Sequence, residues 1–287
     1  MKQWCTLYKH NELSIIHNMT RHDIGAVVVS NSDDFVFLWP GLKQLAGVCV
    51  EVVVAIGTKL WNGDSENGAK IESFIDKATT EYPNVSFVKY QVPQDEFKST
   101  RGMVSPEMYW EGHARFVAQV AFKSRHEYVL FLDSDEIIDA RTFGAWLDTG
   151  GYKGWAAMKR QNYWYWREPC YRARDYIEDS VVLIRTDAYN PMALFSNQGR
   201  HGVWDACTGR KARNLPGIDG KPMIHHYSWV RTKEGMLRKV RAWGHRNDRN
   251  DWEACVNTEF SGAFSGTDFL KGLAYDEVDN TFGIELA

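Results

Sequence analysis

Three apolar runs rich in β-branched residues alternate with two amphipathic segments in the first third of the chain. The runs cover residues 25–34, 50–57 and 84–92. Between them, residues 33–47 and 69–82 place apolar side chains at helical spacing. Strands that are joined through helices pair in parallel, because such a connection has to cross one face of the sheet. The sequence therefore predicts an α/β fold with a mostly parallel sheet flanked by helices.

The second half of the sequence is less regular than the first. A helical pattern at 106–125 leads into the apolar run 127–132, and short strand-like and helix-like segments then follow without a repeating order. A length of 287 residues suits one α/β domain with an added subregion. We therefore expect a single domain over residues 1–287, with a parallel half at 1–140 and a mixed half at 141–287.

The composition excludes several classes of protein. A net charge of −3 gives no overall positive field for a nucleic acid backbone. The apolar runs fall short of the ~18 residues that span a bilayer, and the N-terminal residues lack the apolar core of a signal peptide. Five cysteines without a C-x-x-C pair favour neither disulfides nor a zinc site. We expect a soluble, cytoplasmic protein with no transmembrane segment and no nucleic acid partner.

A cluster of acidic residues follows the apolar run 127–132. Asp133 and Asp135 are two positions apart, so both carboxylates project to the same side if the strand geometry continues. Ligands bind at the carboxyl ends of strands in open parallel sheets, and neighbouring carboxylates suit Mg²⁺ or Mn²⁺. The alternative is an ordinary polar turn whose acids cap a helix. The position favours a metal ion that bridges these carboxylates and a substrate diphosphate.

Residues 25–139 resemble GT-A glycosyltransferases of the family 2 type. The stretch EYVLFLDSDE resembles their D-x-D region, AVVVSNSDDFVFLWPGLKQL their first strand, loop and helix, and VEVVVAIGTKLWNGDSEN their second strand with its sugar-nucleotide loop. Farther on, HHYSWVRTKEGMLRKV resembles the basic, His-containing region of metal-dependent members. The compact chain is also similar to enzymes that decorate viral or microbial surface glycans, such as xylosyltransferases. The resemblance implies a GT-A fold.

The resemblance also implies a metal-dependent, inverting glycosyltransferase. Its donor is a nucleoside-diphosphate sugar, with a UDP-sugar favoured, its metal is Mn²⁺ or Mg²⁺, and its acceptor is a hydroxyl of an oligosaccharide or glycoprotein glycan. The first half of the chain then binds the nucleotide sugar and the second half the acceptor. Asp135 coordinates the metal directly, Asp133 contacts a metal-bound water or the ribose, and His226 or its neighbour His225 is the third ligand.

The resemblance further implies that the donor is bound by polar residues at positions that match the family pattern. One position departs from it, because the family has an acidic residue after the second strand to contact the nucleobase and this chain has Ala55, Ile56 and Gly57 there. Cations beyond the third ligand neutralise the departing nucleoside diphosphate. The implied donor-binding residues are Ser30, Asn31, Arg115, Asp133, Ser134, Arg231, Lys233 and Lys239.

For an inverting transfer, we expect a carboxylate to deprotonate the acceptor hydroxyl. The family order puts this base between the D-x-D region and the third ligand. Asp205 fits that order and is favoured, and Glu178, Asp179 and Asp219 are its rivals.

Four consecutive aromatic residues stand in the stretch QNYWYWREPCY. On a strand, Tyr163 and Tyr165 share one face while Trp164 and Trp166 share the other. Four consecutive aromatic side chains cannot all face inward on one strand, so one pair is expected to be available to a ligand, a partner or a second layer. We predict acceptor contacts from Tyr163, Tyr165 and Trp166, and from Trp204 beside the favoured base.

Two other functions fit parts of the sequence. A carbohydrate-binding protein without catalysis would explain the aromatic residues. A phosphatase of the haloacid dehalogenase type also places D-x-D after a buried strand, but it wants Thr or Val where this chain has Ile137, and its motif normally opens the domain.

Overall fold

The fold is built on one sheet of eleven strands in a computed structural model that describes residues 20–91, 106–196 and 199–286. Residues 1–19, where the sequence predicts no leader peptide, lie outside the described residues. Among the described helices, none has the length and apolar character that crossing a membrane requires.

The elements follow the order that the sequence predicts, with additional short strands. The first part contains β1 (His22–Ser30), α1 (Phe35–Val48), β2 (Cys49–Gly57), α2 (Gly68–Glu81), β3 (Val85–Tyr90), α3 (Pro106–Val120) and β4 (Tyr128–Asp133). The second part contains β5 (Glu136–Ile138), α4 (Ala140–Asp148), β6 (Ala157–Trp166), β7 (Glu168–Ala173), β8 (Ile177–Arg185), α5 (Arg200–Ala206), β9 (Lys211–Leu215), β10 (Ile224–Trp229), α6 (Lys233–Ala242), α7 (Trp252–Glu259) and β11 (Tyr275–Glu277).

The sheet changes character halfway across. Strands β3, β2, β1 and β4 lie side by side and pair in parallel. Strand β8 then pairs antiparallel with β4, and β6, β7 and β11 continue in antiparallel pairing. Strands β9 and β10 add parallel partners to β6, and β5 pairs antiparallel with β10. The predicted α/β class, with a parallel half and a mixed half, is confirmed.

The central strands are buried on both faces, which explains their continuous apolar sequences. In β1, Ile24, Ala26 and Val28 pack into a cluster that includes residues of α1, α2 and α4. Val27 and Val29 point to the other face and pack with α3. The parallel half is therefore a sheet between two layers of helices.

The parallel register brings the ends of β1 and β4 together. Val29 lies opposite Asp133, and the Ser134 amide donates a hydrogen bond to the Val29 carbonyl at 3.0 Å. From the other side, the Tyr227 amide of β10 donates to the Asp135 carbonyl at 2.8 Å. The acidic cluster is thus fixed at the carboxyl edge of the sheet, as predicted.

Helix α3 packs closely against the segment that follows β8. A Cβ atom at Gly112 would lie 2.1 Å from the carbonyl oxygen of Leu194, a backbone atom that cannot move aside alone. Gly68, the first residue of α2, has no atom within 4 Å of the same built position. Only the first of these two helical glycines is required by packing.

The Gly112→Ala variant should therefore lose about 1–3 kcal/mol of unfolding free energy, because the added methyl group forces α3 away from Leu194. The Gly68→Ala variant is the matched control, with a change within about 1 kcal/mol and in the stabilising direction. Urea denaturation followed by circular dichroism measures both. Equal midpoints for the two variants would contradict the packing argument.

Candidate functional site

A cavity of about 520 Å³ opens at the carboxyl ends of β1 and β4. It has three parts, which we call the polar end, the charged centre and the aromatic end. The polar end is lined by Ser30, Asn31, Trp61, Glu66 and Tyr90. The charged centre is lined by Asp34, Asp133, Asp135, Arg231 and Lys239. The aromatic end is lined by Trp164, Trp229, Trp243 and Trp252, with His245 and Asp248 beside them.

Asp133 is held between two buried guanidinium groups. Its Oδ1 accepts from Arg115 Nη2 at 2.6 Å, and its Oδ2 accepts from Arg200 Nη2 at 2.9 Å. Arg115 is fully buried and also donates to Glu111 at 2.7 Å. Arg115 is predicted to contact the nucleotide. In the structure it does not line the cavity and instead supports Asp133 from behind.

Asp135 is the most strongly paired carboxylate of the charged centre. Its Oδ2 accepts from Lys239 Nζ at 2.9 Å and from Arg231 Nη2 at 3.1 Å, and its Oδ1 lies 3.5 Å from His226 Nε2. Burial works against the ionised carboxyl, but Lys239, His226 and Arg231 outweigh it and lower the pKa of Asp135 well below its usual range. Asp135 is therefore an anion at neutral pH.

Lys239 is held in place by β10 as well as by Asp135. Its ammonium donates to the Ser228 carbonyl at 2.9 Å and to the Ser228 hydroxyl at 3.0 Å. Burial and the nearby Arg231 lower the pKa of Lys239. Arg231 also donates to Asp34 at 2.5 Å, so one chain of charges runs from Asp34 to Lys239.

Glu136 supports the centre from behind. It is buried, accepts from the Asp133 amide at 2.8 Å, and pairs with Arg200 at 2.6 Å. Burial raises the pKa of Glu136 to about 7, although Arg200 acts in the opposite direction. The residue binds the turn and Arg200 together and does not line the cavity.

The polar end contains an acidic residue from the loop after β2. The Glu66 carboxylate accepts from the Ser32 hydroxyl at 2.5 Å and from the Ser32 amide at 3.3 Å. Burial raises the pKa of Glu66. Trp61 donates to the Tyr90 hydroxyl at 3.1 Å and completes this wall. Ser30 and Asn31, predicted to contact the donor, lie here, and Asn31 bonds Asp34 at 3.0 Å.

The predicted alternation of β6 is confirmed, but the predicted acceptor contacts are not brought to the cavity. Tyr163 and Tyr165 are buried in one cluster, and Trp166 is fully buried against Trp229 in another. Both faces of the strand are covered by other elements. Trp164, on the same face as Trp166, lines the cavity instead and packs edge-on to His226 at 4.8 Å.

The two adjacent histidines point in opposite directions. His226 faces the cavity beside Asp135. His225 lies on the other face of β10, where it bonds the Tyr165 hydroxyl at 2.8 Å and contacts Phe282. Of the two histidines predicted as metal ligands, only His226 reaches the charged centre.

The remaining predicted residues are divided between the cavity and the surface. Ser134, Arg231 and Lys239 line the cavity, and Lys233 does not. Asp205, the favoured base, is exposed on α5 and lies outside the cavity, as does Trp204. Of the rivals, Glu178 bonds Arg213 at 2.7 Å and Asp219 is exposed, both outside the cavity, while the side chain of Asp179 lies outside the described residues.

The residues predicted to hold a metal do not fit one as they are arranged. The Asp135 oxygens face Lys239, Arg231 and His226, and those of Asp133 face two arginines. Within the described residues, no group of three or more His, Cys, Asp or Glu side chains is placed to hold a metal ion. The like charges of the D-x-D sequence are neutralised by cations of the chain itself.

Several cavity residues were missed at the level of sequence. Glu66 had a usable signal, since it stands in the loop that resembles the sugar-nucleotide loop. Trp243 and His245 follow α6, from which the sequence predicts donor contacts by basic residues alone. Arg200 gave no signal, because it lies in a Gly-rich stretch that predicts a loop.

No protein-family model matches the chain, and no curated protein matches it either. Among solved structures it is similar to residues 1–349 of S. aureus TarS in complex with UDP-GlcNAc, with 13% identity, 83% of this chain and 73% of that chain covered, and a TM-score of 0.43. It is also similar to the mannosyltransferase PcManGT from Pyrobaculum calidifontis in complex with GDP-Man and Mn²⁺, with 10% identity, 82% and 67% covered, and a TM-score of 0.44.

A third similar structure is the glycosyltransferase GlyE in Streptococcus pneumoniae TIGR4, with 14% identity, 85% of this chain and 64% of that chain covered, and a TM-score of 0.40. All three TM-scores lie below 0.5, so these similarities establish nothing about the function of this chain.

The burial of His225 predicts a pH dependence of stability. Burial, helped by the charge of Arg172, lowers the pKa of His225 to about 3, against about 6.5 in an unfolded chain. Between these two pKa values, the unfolded state binds a proton on this histidine and the folded state does not. The contribution of the neutral, buried His225 to the free energy of unfolding is therefore intact above pH 6.5 and is lost as the pH falls. Relative to His225→Gln, the native chain should lose about 2 kcal/mol of unfolding free energy between pH 7 and pH 5. Parallel urea titrations at both pH values measure this, and a constant difference would contradict it.

Proposed function

We propose that this chain is a glycosyltransferase that takes its sugar from a nucleoside-diphosphate donor. The observation that carries the proposal is the continuity of one cavity through a polar end, a charged centre and an aromatic end. Its volume of about 520 Å³ lies within the range of small-molecule sites, about 300–1,000 Å³. A sugar nucleotide has the same three parts, namely a base with ribose, a diphosphate and a sugar.

The polar end suits the base and ribose. Trp61 and Tyr90 offer aromatic surface, and Glu66 offers a carboxylate that can accept a hydrogen bond from a base N–H group. Uracil and guanine both carry such a group in their ring. Glu66 thus supplies, from farther along the loop, the acidic residue that is missing at 55–57. A UDP-sugar remains the favoured donor.

The charged centre suits the diphosphate. Arg231 and Lys239 present cations in a mostly buried site, where charge interactions are stronger than in water. Arg238 lies at the same wall and pairs with Asp33 at 2.9 Å. A diphosphate that enters would share these cations with the carboxylates. The same cations would stabilise the negative charge that forms on the leaving diphosphate.

The aromatic end suits a sugar and the acceptor glycan. Trp164, Trp243 and Trp252 line it, and indole faces offer large apolar area for the C–H faces of a sugar ring. This end also favours the second candidate, a carbohydrate-binding protein without catalysis. The two differ in one measurable property, since only the transferase releases a nucleoside diphosphate from a donor.

The reaction exchanges one bond for another at the anomeric carbon. The acceptor hydroxyl oxygen bonds to that carbon, the bond from carbon to the diphosphate oxygen breaks with its electron pair on the oxygen, and the hydroxyl proton leaves. Inversion of configuration, which the resemblance implies, stays a prediction. Dependence of the transfer step on Mn²⁺ or Mg²⁺ also stays a prediction, and it would require a metal to displace Lys239 and Arg231 from Asp135.

Two lysines on α6 give a matched test of donor binding. Lys239→Met removes a cavity cation and should weaken the binding of UDP or GDP about 10- to 100-fold, the value of one charged hydrogen bond. Lys233→Met removes the same charge outside the cavity and should stay within about twofold of the native chain. Calorimetric titration with UDP and with GDP, each in EDTA and in MnCl₂, measures all three proteins.

We expect native binding to persist in EDTA, since the cations of the chain face the charged centre. Loss of binding in EDTA would show that Asp135 gives up its lysine and arginine to a metal. The absence of binding under every condition would contradict the proposed function.

A further inference from the structure

We propose that His245, oriented by Asp248, accepts the proton of the acceptor hydroxyl. This inference rests on the proposed glycosyl transfer, and it replaces the exposed Asp205 as the base. Both residues line the aromatic end of the cavity, in the loop that follows α6. Their side chains are 46% and 60% exposed, so they stand at the mouth, where an acceptor has to enter.

The cavity carboxylates that pair with an arginine or a lysine are poor candidates for this role. Their oxygens already accept hydrogen bonds from guanidinium or ammonium groups, so they are engaged within the chain. The pairs are Asp33 with Arg238, Asp34 with Arg231, Glu111 with Arg115, Asp133 with Arg115 and Arg200, and Asp135 with Lys239 and Arg231. Among described acids that line the cavity, Glu66 and Asp248 are left without such a cation, and Glu66 lies at the polar end against Ser32.

The other histidines of the cavity are also engaged differently. His226 lies against Asp135 in the charged centre. His201 has the ammonium of Lys159 3.4 Å from its Nδ1, so this nitrogen faces a cation. His245 combines a carboxylate partner, Asp248, with a position at the aromatic end.

The His245 ring is held in the tautomer that a base requires. Its Nδ1 lies 2.8 Å from Asp248 Oδ2, and since an ionised carboxylate only accepts, Nδ1 carries the proton. The lone pair is then on Nε2, which has no hydrogen-bond partner among the described residues. The same division of roles, in which a carboxylate orients a histidine base, is known from hydrolytic triads.

Neighbouring tryptophans fix the position of the dyad. The Trp252 indole donates to the His245 carbonyl at 3.1 Å, and the Asp248 amide donates to the same carbonyl at 3.0 Å. The Trp243 ring lies 5.4 Å from the His245 ring, edge-on, and 5.2 Å from that of Trp252. The base and the sugar-binding surface are therefore parts of one packed unit.

The step balances without a further reactant. As the acceptor oxygen bonds to the anomeric carbon, its proton passes to Nε2, and the diphosphate leaves with the electron pair of the broken bond. Asp248 stabilises the imidazolium that forms. The proton then passes to water, since the dyad is open to solvent.

Water can replace the unknown acceptor in the test. The release of UDP or GDP is measured from UDP-glucose, UDP-N-acetylglucosamine, UDP-xylose and GDP-mannose. His245→Asn should lower kcat about 100- to 10,000-fold, the usual range of general base catalysis, while the Kd for UDP or GDP stays within about threefold. Asp248→Asn should cause a smaller loss of kcat, and added imidazole should restore part of the activity of His245→Ala.

The chain offers a matched control in a second histidine and aspartate pair. His22 Nε2 lies 3.1 Å from Asp148 Oδ1 at the opposite end of the sheet, so Asp148→Asn should leave the release rate unchanged. A release rate of His245→Asn within about threefold of the native rate would overturn this inference and leave the proposed function standing. If Asp205→Asn lost nucleotide release instead, Asp205 would be the base. The absence of release from every donor by the native chain would overturn the proposed function as well.

Discussion

The rest of the structure depends on the neutralisation of three acidic residues at the end of β4. Asp133, Asp135 and Glu136 lie within four consecutive positions at the end of this strand, and Asp135 and Glu136 are buried. Removing a charge from water costs several kcal/mol unless an opposite charge comes with it. The compensating cations are brought by four separate elements: Arg115 on α3, Arg200 on α5, Arg231 after β10 and Lys239 on α6. These elements have to pack where they do because the acids are there.

The two neighbouring acids of this cluster serve different purposes because their surroundings differ. Asp135 faces the cavity and three cationic or potentially cationic groups, which lower its pKa, whereas burial raises that of Glu136. Groups whose environments push their pKa values apart are typical of functional sites. Asp135 therefore faces the cavity, whereas Glu136 supports the turn and Arg200 behind it.

The sequence predicted the framework of the site better than its contents. The alternation of strands and helices, the position of the acidic cluster and the faces of β6 all follow from local periodicity, and all are confirmed. Periodicity does not tell which face is covered, so Trp166 was chosen where Trp164 lines the cavity. The Trp166 indole instead donates to Glu259 of α7, 93 positions away.

The sequence also did not indicate which cations neutralise the acidic residues. Their spacing predicted one bridging metal ion, whereas in the structure each aspartate has its own cations, Arg115 and Arg200 for Asp133 and Arg231 and Lys239 for Asp135. Of these cations, Arg231 and Lys239 lie about a hundred residues later in the chain than Asp135. Ion pairs between residues so far apart leave no periodic signal in the sequence. The pair of His245 and Asp248 leaves none either, because its proposed role depends on the cavity residues that surround it in the fold.

The late position of these cations has a consequence for biosynthesis. On the ribosome, β1 to β4 are complete well before Arg200, Arg231 and Lys239 have been added. Until then, Asp135 and Glu136 lack the cations that pair with them in the folded chain. The pairing of these acids is therefore complete only when the chain extends through α6.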